Sequence, residues 1–190
     1  MRYFDLAENL YIPGRWYLDT PVDGQGQEAG SWLFTVGEPA SSVTEPLRVG
    51  LYRPGKALDY SCADAGAIPV VHARVASVLQ ALAPRDIQTY PIQVEGQLEP
   101  YAVINVTRIV KCIDDKASEY VVRRLPEDEN DQPERAGEYR SVVGMRIDKS
   151  LVGDAKVFRP WGWTIVLVVS EDIKEALERT GATGMKFVEV

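Results

Sequence analysis

Apolar positions along this chain change their period twice. In the first sixty residues they gather in short runs at 2–5, 15–18, 31–36 and 47–52, separated by Pro13-Gly14, the Gly-rich DGQGQEAG at 23–30, and Gly37-Glu38-Pro39. Short β-prone runs punctuated by Gly and Pro predict strands and turns. Residues 1–60 are therefore expected to form a β meander with mobile connections. From Pro69 the period lengthens, and Val71, Val75, Val78, Leu79 and Leu82 follow at spacings of four, three, one and three. At 3.6 residues per turn all five fall within one stripe, a core-facing surface. Pro69 suits a first helical position, where its missing N–H is not needed, and Pro84 ends the pattern, which predicts a helix at about 69–83. His72, the one histidine, lies on the flank of the stripe beside Arg74.

Alternation returns at 90–94 and 101–110, joined by a turn around Gly96. In the second run Tyr101, Val103 and Asn105 point one way and Ala102, Ile104 and Val106 the other. Both faces are largely apolar, as in a strand central to its sheet. Further strands are expected at 120–123 and 142–147. Between them, PEDENDQPERAGE at 126–138 has six acids, two prolines and no aliphatic side chain larger than alanine, which predicts a solvated loop. The tail begins with a β-rich run at 163–169. Ser170 then suits an N-cap whose hydroxyl accepts from the next turn's amides, with Glu171 and Asp172 at the positive end of the helix dipole. Lys174 with Glu178, and Glu175 with Arg179, are spaced for ion pairs one turn apart. Ile173, Ala176 and Leu177 supply the apolar face, and Gly181 suits a left-handed end, so a second helix is expected at about 171–180. A closing strand at 185–190 makes the order strand, helix, strand, consistent with a parallel crossover at a sheet edge. The fold class is α+β: mixed, mostly antiparallel sheets with two main helices and a β-rich N-terminal portion.

Length and composition narrow the class. A chain of 190 residues suits one domain and buries roughly 70% of its unfolded surface on folding, so no disulfide or metal is required to hold it. Hydrophobic residues make up 45% and charged residues 26%, near the average for soluble globular proteins. The longest apolar run, 164–169, is too short to cross a bilayer. The first residues lack a basic segment followed by an apolar one and a small-residue cleavage site. Cys62 and Cys112 stand far apart with no metal-ligand spacing, and together these features predict a cytosolic protein with two ordinary thiols. Net charge is -7, from 28 acidic and 21 basic side chains. That balance argues against nucleic acid as a direct partner, because phosphate binding wants a basic footprint, and it suits a basic protein partner.

Catalytic chemistry finds little footing. A Ser-His-Asp site would have to converge on His72, and no G-x-S-x-G elbow is present. With one histidine, the remaining metal option is a carboxylate-rich Mg²⁺ or Ca²⁺ site at Asp114 and Asp115, against which stands an Asp turn accepting backbone amides. The glycines at 24–30 match neither a dinucleotide nor a Walker motif. Asn105-Val106-Thr107 would matter as a sequon only in a secreted chain and an exposed loop. Two features suit protein binding. One is the acidic loop, with Glu127, Asp128, Glu129, Asp131, Glu134 and Glu138, which is either a solvated segment or a surface that engages a basic partner. The other is RPWGW at 159–163, where an exposed Trp161 beside Arg159 has the character of an interface anchor, against a core or turn role.

The segments IPVVHARVASVLQAL, YPIQVEG, YAVINVTRIVKCIDDKAS, GDAKVFRP and VVSEDIKEALERTGATGMKFVEV, in that order, resemble the bacterial family of polymorphic-toxin immunity proteins numbered eleven. The likeness covers about 69–190 and is patchier before that, where Arg15-Trp16 and the strand at 46–52 carry it. Most weight falls on the order from Asn105 to Asp114, on Ser118, on Phe158-Arg159, and on the closing segment through Thr183-Gly184 to Phe187. Two positions depart from the family pattern: His72, where a serine or threonine caps the helix, and Lys111, where an acid precedes the cysteine. The resemblance implies a non-enzymatic protein without a cofactor. Such a protein binds a cognate toxin in the cytosol, occludes its active surface, and protects the producing cell and its kin. If that toxin is a nuclease, its basic surface would attract the acidic loop. The alternatives are a scaffold or regulatory protein-binding module and, from the enzyme class, a carboxylate-dependent hydrolase using Asp114 or Asp115 with His72.

Overall fold

A computed structural model of the protein describes residues 1–125 and 133–190. In chain order its elements begin β1 (Tyr3–Glu8), β2 (Tyr17–Leu18), α1 (Ser31–Phe34), β3 (Leu47–Val49), β4 (Leu51–Arg53), β5 (Tyr60–Ala63), β6 (Ile68–His72), α2 (Ala73–Leu82) and β7 (Ile87–Val94). There follow β8 (Tyr101–Val106), β9 (Ile109–Val110), β10 (Tyr120–Arg123), β11 (Tyr139–Val143), β12 (Val157–Pro160), β13 (Val168–Ser170), α3 (Glu171–Arg179) and β14 (Met185–Glu189). One five-stranded sheet runs β14-β1-β13-β12-β9 and a second runs β3-β7-β8-β6-β5, with β2–β4 and β10–β11 as two-stranded ladders. The β3–β7 and β9–β12 pairs are parallel and the other ladders antiparallel, which is the mixed α+β architecture that the periodicity predicts. No helix among the described residues is long and apolar enough to cross a membrane.

The apolar residues sort by face. Along β6 and β8, Val71 and Ile104 enter a cluster shared with Phe4, Leu6 and Val169 of the first sheet, Leu79 of α2 and Leu177 of α3. Their neighbours Val70 and Val103 turn to the opposite face and join Trp16, Phe34 and Leu47. Period-two alternation across a strand covered on both sides produces this split, so β8 is the central strand its sequence predicts. A third cluster around Tyr3, Phe158 and Val168 backs the first sheet. Asn105 is fully buried in β8, where its amide donates to the Glu38 carbonyl at 2.8 Å, and is therefore out of reach as a glycosylation acceptor.

Several elements differ from the sequence reading, each for a tertiary reason. The N-terminal strands do not form a meander: β1 lies inside the first sheet, β3 pairs with β7 of the second, and β2 pairs with β4. The run at 31–36 is helical at its start, because the first amide of α1, Ser31 N–H, is taken up at 2.6 Å by the Asp64 carboxylate from a distant turn. Pro69 sits within β6 opposite Cys62, and Cys62 directs its own N–H outward to Glu8. A proline is tolerated where no ladder donor is required of it. The helix begins only at Ala73, and His72 caps it, its Nδ1 accepting from the Arg74 amide at 3.1 Å. The run 101–110 divides between sheets, since β9 leaves β8 to pair parallel with β12. The strand expected at 142–147 is β11, which ends one residue before Gly144, and only 168–170 of the run from Trp163 is strand. Ser170 occupies the N-cap of α3 without accepting a backbone amide; its hydroxyl donates to the Asp172 carboxylate. The expected ion pairs Lys174 with Glu178 and Glu175 with Arg179 are present.

The terminal crossover has one strand inserted. Both β13 and β14 run antiparallel to β1, so they are parallel to each other with β1 between them, and β14 forms the sheet edge. The loop entering β14 reaches the second sheet. Thr183 N–H and Oγ1 both donate to Asp59 Oδ2, at 2.7 and 2.8 Å, and Tyr60 N–H donates to the Thr183 carbonyl at 3.0 Å. Next to them Gly184 has φ 99°, and a Cβ there would run into the Tyr60 carbonyl oxygen. Gly184→Ala is therefore expected to lower stability by roughly 3 kcal/mol or more. Gly181→Ala, at φ 66° with open space around it, should lose only the left-handed backbone penalty of about 1–2 kcal/mol. Urea denaturation of the two variants checks the difference, and equal losses would remove the role assigned to the close approach at Gly184.

Candidate functional site

The residues singled out from sequence fall into three situations. Glu127, Asp128, Glu129 and Asp131 lie outside the described residues. Glu134 is exposed within the short 3₁₀ turn Pro133–Arg135, and Glu138 accepts from Arg135 Nε at 2.8 Å. Arg159 is fully buried and does not stand at the surface beside a tryptophan. The reason is local, since β12 carries it inward between Phe158 and Pro160, both buried as well. Trp161 is half-buried, with Lys111 Nζ 4.6 Å from its ring centroid.

The strand that follows the acidic loop meets the RPWGW segment in space. Tyr139 N–H donates to the Gly162 carbonyl at 3.0 Å, and Trp161 N–H to Val110. The β10–β11 hairpin, from whose tip the loop springs, is locked by a clamp. Arg123 donates to both Asp115 oxygens, at 2.8 and 3.0 Å, and to the Tyr139 hydroxyl and the Gly137 carbonyl. Its guanidinium also stacks 4.3 Å from the Tyr139 ring. The hydrogen bonds from Arg123 hold the Asp115 carboxyl below its ordinary range. Asp114 instead accepts the Lys116 and Ala117 amides, at 2.9 and 3.0 Å, as an Asp turn requires. Neither carboxylate shares a hydrogen-bond partner with His72, whose Nε2 lies 3.4 Å from Glu99. Among the described residues no group of three His, Cys, Asp or Glu side chains is placed to hold a metal ion.

What sequence reading did not find is a set of three cavities linked by shared lining residues. The first, about 300 Å³, is lined by Asp5, Glu8, Tyr60, Cys62, Arg159 and Ile165 among others. A second, about 470 Å³, adds Tyr17, Tyr52 and Asp64 and shares Glu8, Leu10 and Cys62 with the first. The third, about 210 Å³, shares Ile165 and extends to Trp163 and to Arg124 and Glu138 at the loop end of the hairpin. Leu10, Tyr52 and Ile165 are exposed on the rims. Between the first two cavities lies the β5–β6 turn, where Asp64 and Ala65 hold positive φ, 48° and 53°. Non-glycine residues in this region carry strain, which clusters at functional sites. The signal in sequence was the short stretch CADAGA at 62–67, but strain at Ala65 follows from the packing and not from its identity.

Charge within the first cavity is unevenly settled. Glu8 is committed, pairing with Arg15 and accepting the Cys62 amide at 3.0 Å. Burial pushes the Cys62 thiol up to about 12, so it is protonated at neutral pH and is not a nucleophile. Burial also pushes the Asp5 carboxyl up to about 6, with Lys186 offsetting only part of the effect. The native state thus binds this proton at a higher pH than the unfolded chain does. Between about pH 4 and about pH 6, folding takes up a proton and stability falls as pH rises. Asp5→Asn is accordingly expected to match the parent near about pH 4 and to exceed it by roughly 1–3 kcal/mol above about pH 7. Urea midpoints across that range check it, and parallel profiles for the two proteins would refute it.

Comparison with known proteins bears on the whole chain. No curated protein matches it. Residues 1–190 match the immunity protein family Imm11, so the likeness extends through the β-rich portion before residue 69, where sequence reading found it patchy. Immunity proteins neutralise toxins, and membership implies a cognate toxin as partner and an inhibitor, not an enzyme. Over its full length, the chain belongs to this immunity protein family.

Proposed function

We propose that the protein neutralises its toxin in the cytosol by covering the toxin's active surface with the face that carries the three cavities and the β10–β11 hairpin. The observation that carries this reading is the apolar rim. Leu10, Tyr52 and Ile165 are all exposed around recesses that adjoin one another. Large apolar side chains grouped around concavities mark binding surfaces more often than inert ones. The clamp of Asp115, Arg123 and Tyr139 supports it, because a hairpin held rigid beforehand loses less entropy on binding. The apolar cluster that draws on both sheets supports the chain acting as one unit.

Single substitutions on the rim separate binding from folding. Ile165→Asp and Tyr52→Ala are each expected to weaken toxin binding at least about tenfold while leaving the melting temperature within a few degrees. Unchanged affinity in both would place the inhibitory surface elsewhere.

The surplus of 28 acidic over 21 basic side chains supports a basic toxin surface, such as that of a nuclease, met by the acidic loop. Replacing Glu127, Asp128, Glu129 and Asp131 by Ser should then slow association at low salt and flatten its salt dependence. Stopped-flow association over a salt series tests this, and an unaltered rate would take the loop out of the encounter.

A further inference from the structure

The second cavity, about 470 Å³, is apolar at its mouth and carries charge of one sign only. Leu10 and Tyr52 stand on its rim, 58% and 76% exposed. Glu8, Asp19 and Asp64 are on its lining, and no Lys, Arg or His is. Glu8 is neutralised by Arg15, but among the described residues neither Asp19 nor Asp64 has an ion-pair partner. Both converge on Thr20, which lines the cavity with them. Asp19 Oδ1 accepts the Thr20 N–H at 2.8 Å, and Asp64 Oδ1 accepts the Thr20 hydroxyl at 3.3 Å. Asp64 Oδ2 accepts the Ser31 N–H. Neutral donors thus fix both carboxylates and leave their charge uncompensated. The groups are within reach of solvent, Asp19 being exposed and Asp64 and Thr20 half-buried. The nearby guanidinium groups of Arg15 and Arg53 lie 4.9 and 5.4 Å from the Tyr17 ring centroid. The Tyr52 ring has no such contact among the described residues.

We propose that this cavity seats a lysine or arginine side chain of the toxin, its methylenes against Leu10 and Tyr52 and its charge beside Asp19 and Asp64. The source of the side chain rests on the reading of the protein as a toxin inhibitor. Its chemistry rests on the cavity, since a long basic side chain wants an apolar wall for its stem and a polar end for its head, and an aromatic face adds attraction for the cation. A metal ion would leave the apolar wall unused, and among the described residues no group of three His, Cys, Asp or Glu side chains is placed to hold one. An apolar side chain would take water from two charges and return nothing to them. An anion would meet like charge on every side.

The pocket is tested without the toxin by following the Ala65 and Gly66 amide resonances in nitrogen-labelled protein. Butylguanidinium is the probe, butanol the neutral control and Mg²⁺ the metal control. Butylguanidinium is expected to move both resonances saturably at millimolar concentrations, with butanol and Mg²⁺ each at least about tenfold weaker. Asp19→Asn and Asp64→Asn keep the shape of the wall and an acceptor for the amide each residue holds. Each should weaken the probe about threefold, and the two together about tenfold. Asp19→Asn touches no distant element, so its melting temperature should stay within a few degrees of the parent's. No saturable response in the parent, or an undiminished one in folded Asp19→Asn, overturns the pocket. Butanol or Mg²⁺ binding as tightly as the probe overturns the basic side chain as its ligand.

The complex identifies the source. Toxin binding should move the same two resonances, and Asp19→Asn with Asp64→Asn should weaken toxin affinity at least about tenfold. A response to the probe with unmoved resonances in the toxin complex would assign the pocket to a small free cation and overturn the toxin side chain. A protein that binds the probe but no toxin would overturn the inhibitor reading and leave the pocket standing. Toxin binding without any response to the probe would do the reverse.

Discussion

An unpaired edge is what the two sheets are organised around. Strand β5 ends the second sheet, and an edge strand presents backbone donors that need partners when buried. Here they find them in the first sheet and the loop entering its edge strand: Tyr60 N–H donates to the Thr183 carbonyl and Cys62 N–H to the Glu8 carboxylate of β1. The Tyr60 hydroxyl adds a bond to the Leu6 carbonyl of β1. Beyond the far end of the strand, the Ala67 carbonyl accepts from Arg159 of β12. The seam is polar and made of single bonds at several points, not a continued ladder. Apolar packing by α2, α3 and both sheets then closes the space on one side of it.

A seam of this type does not close perfectly, and the molecule's recesses lie along it. The strained turn after β5 presses between two cavities. Glu8, Cys62 and Arg159, which tie the sheets together, are also cavity walls. The groups that hold the fold are therefore partly those that wall the recesses. A toxin engaging this face would meet a rigid joint, and rigid surfaces bind with less ordering cost than loops. The β10–β11 hairpin is anchored by the ion pair of Arg123 with Asp115 and by the Tyr139 amide on the Gly162 carbonyl.

Asp115 shows why the site resisted reading from sequence. Beside Asp114 it looks like half of a metal site or half of a turn, and Asp114 is indeed a turn. Asp115 belongs to Arg123 and Tyr139, residues 8 and 24 positions on, and nothing in the local pattern selects them. Arg159 misled in the opposite direction. In sequence it stands beside a Trp161 read as an exposed anchor or as a core or turn residue, and a short strand buried along its whole length takes it inside. The α1 segment lacks any periodic signal, and its helical start depends on a carboxylate 33 residues away.

The sequence by itself determined the class of fold, the central strand β8, the amphipathic α3 with its ion pairs, and the family, because each rests on periodicity or motif order within a short window. It also determined that no motif for catalysis is present. Tertiary structure alone decided where α2 begins, which sheet each N-terminal strand joins, and how β5 meets Glu8 and Thr183. It alone put the Arg159 guanidinium inside, on the carbonyls of Thr164 and Ala67. Those outcomes depend on which distant group satisfies a backbone donor or a buried charge, and that choice is made only when the sheets pack.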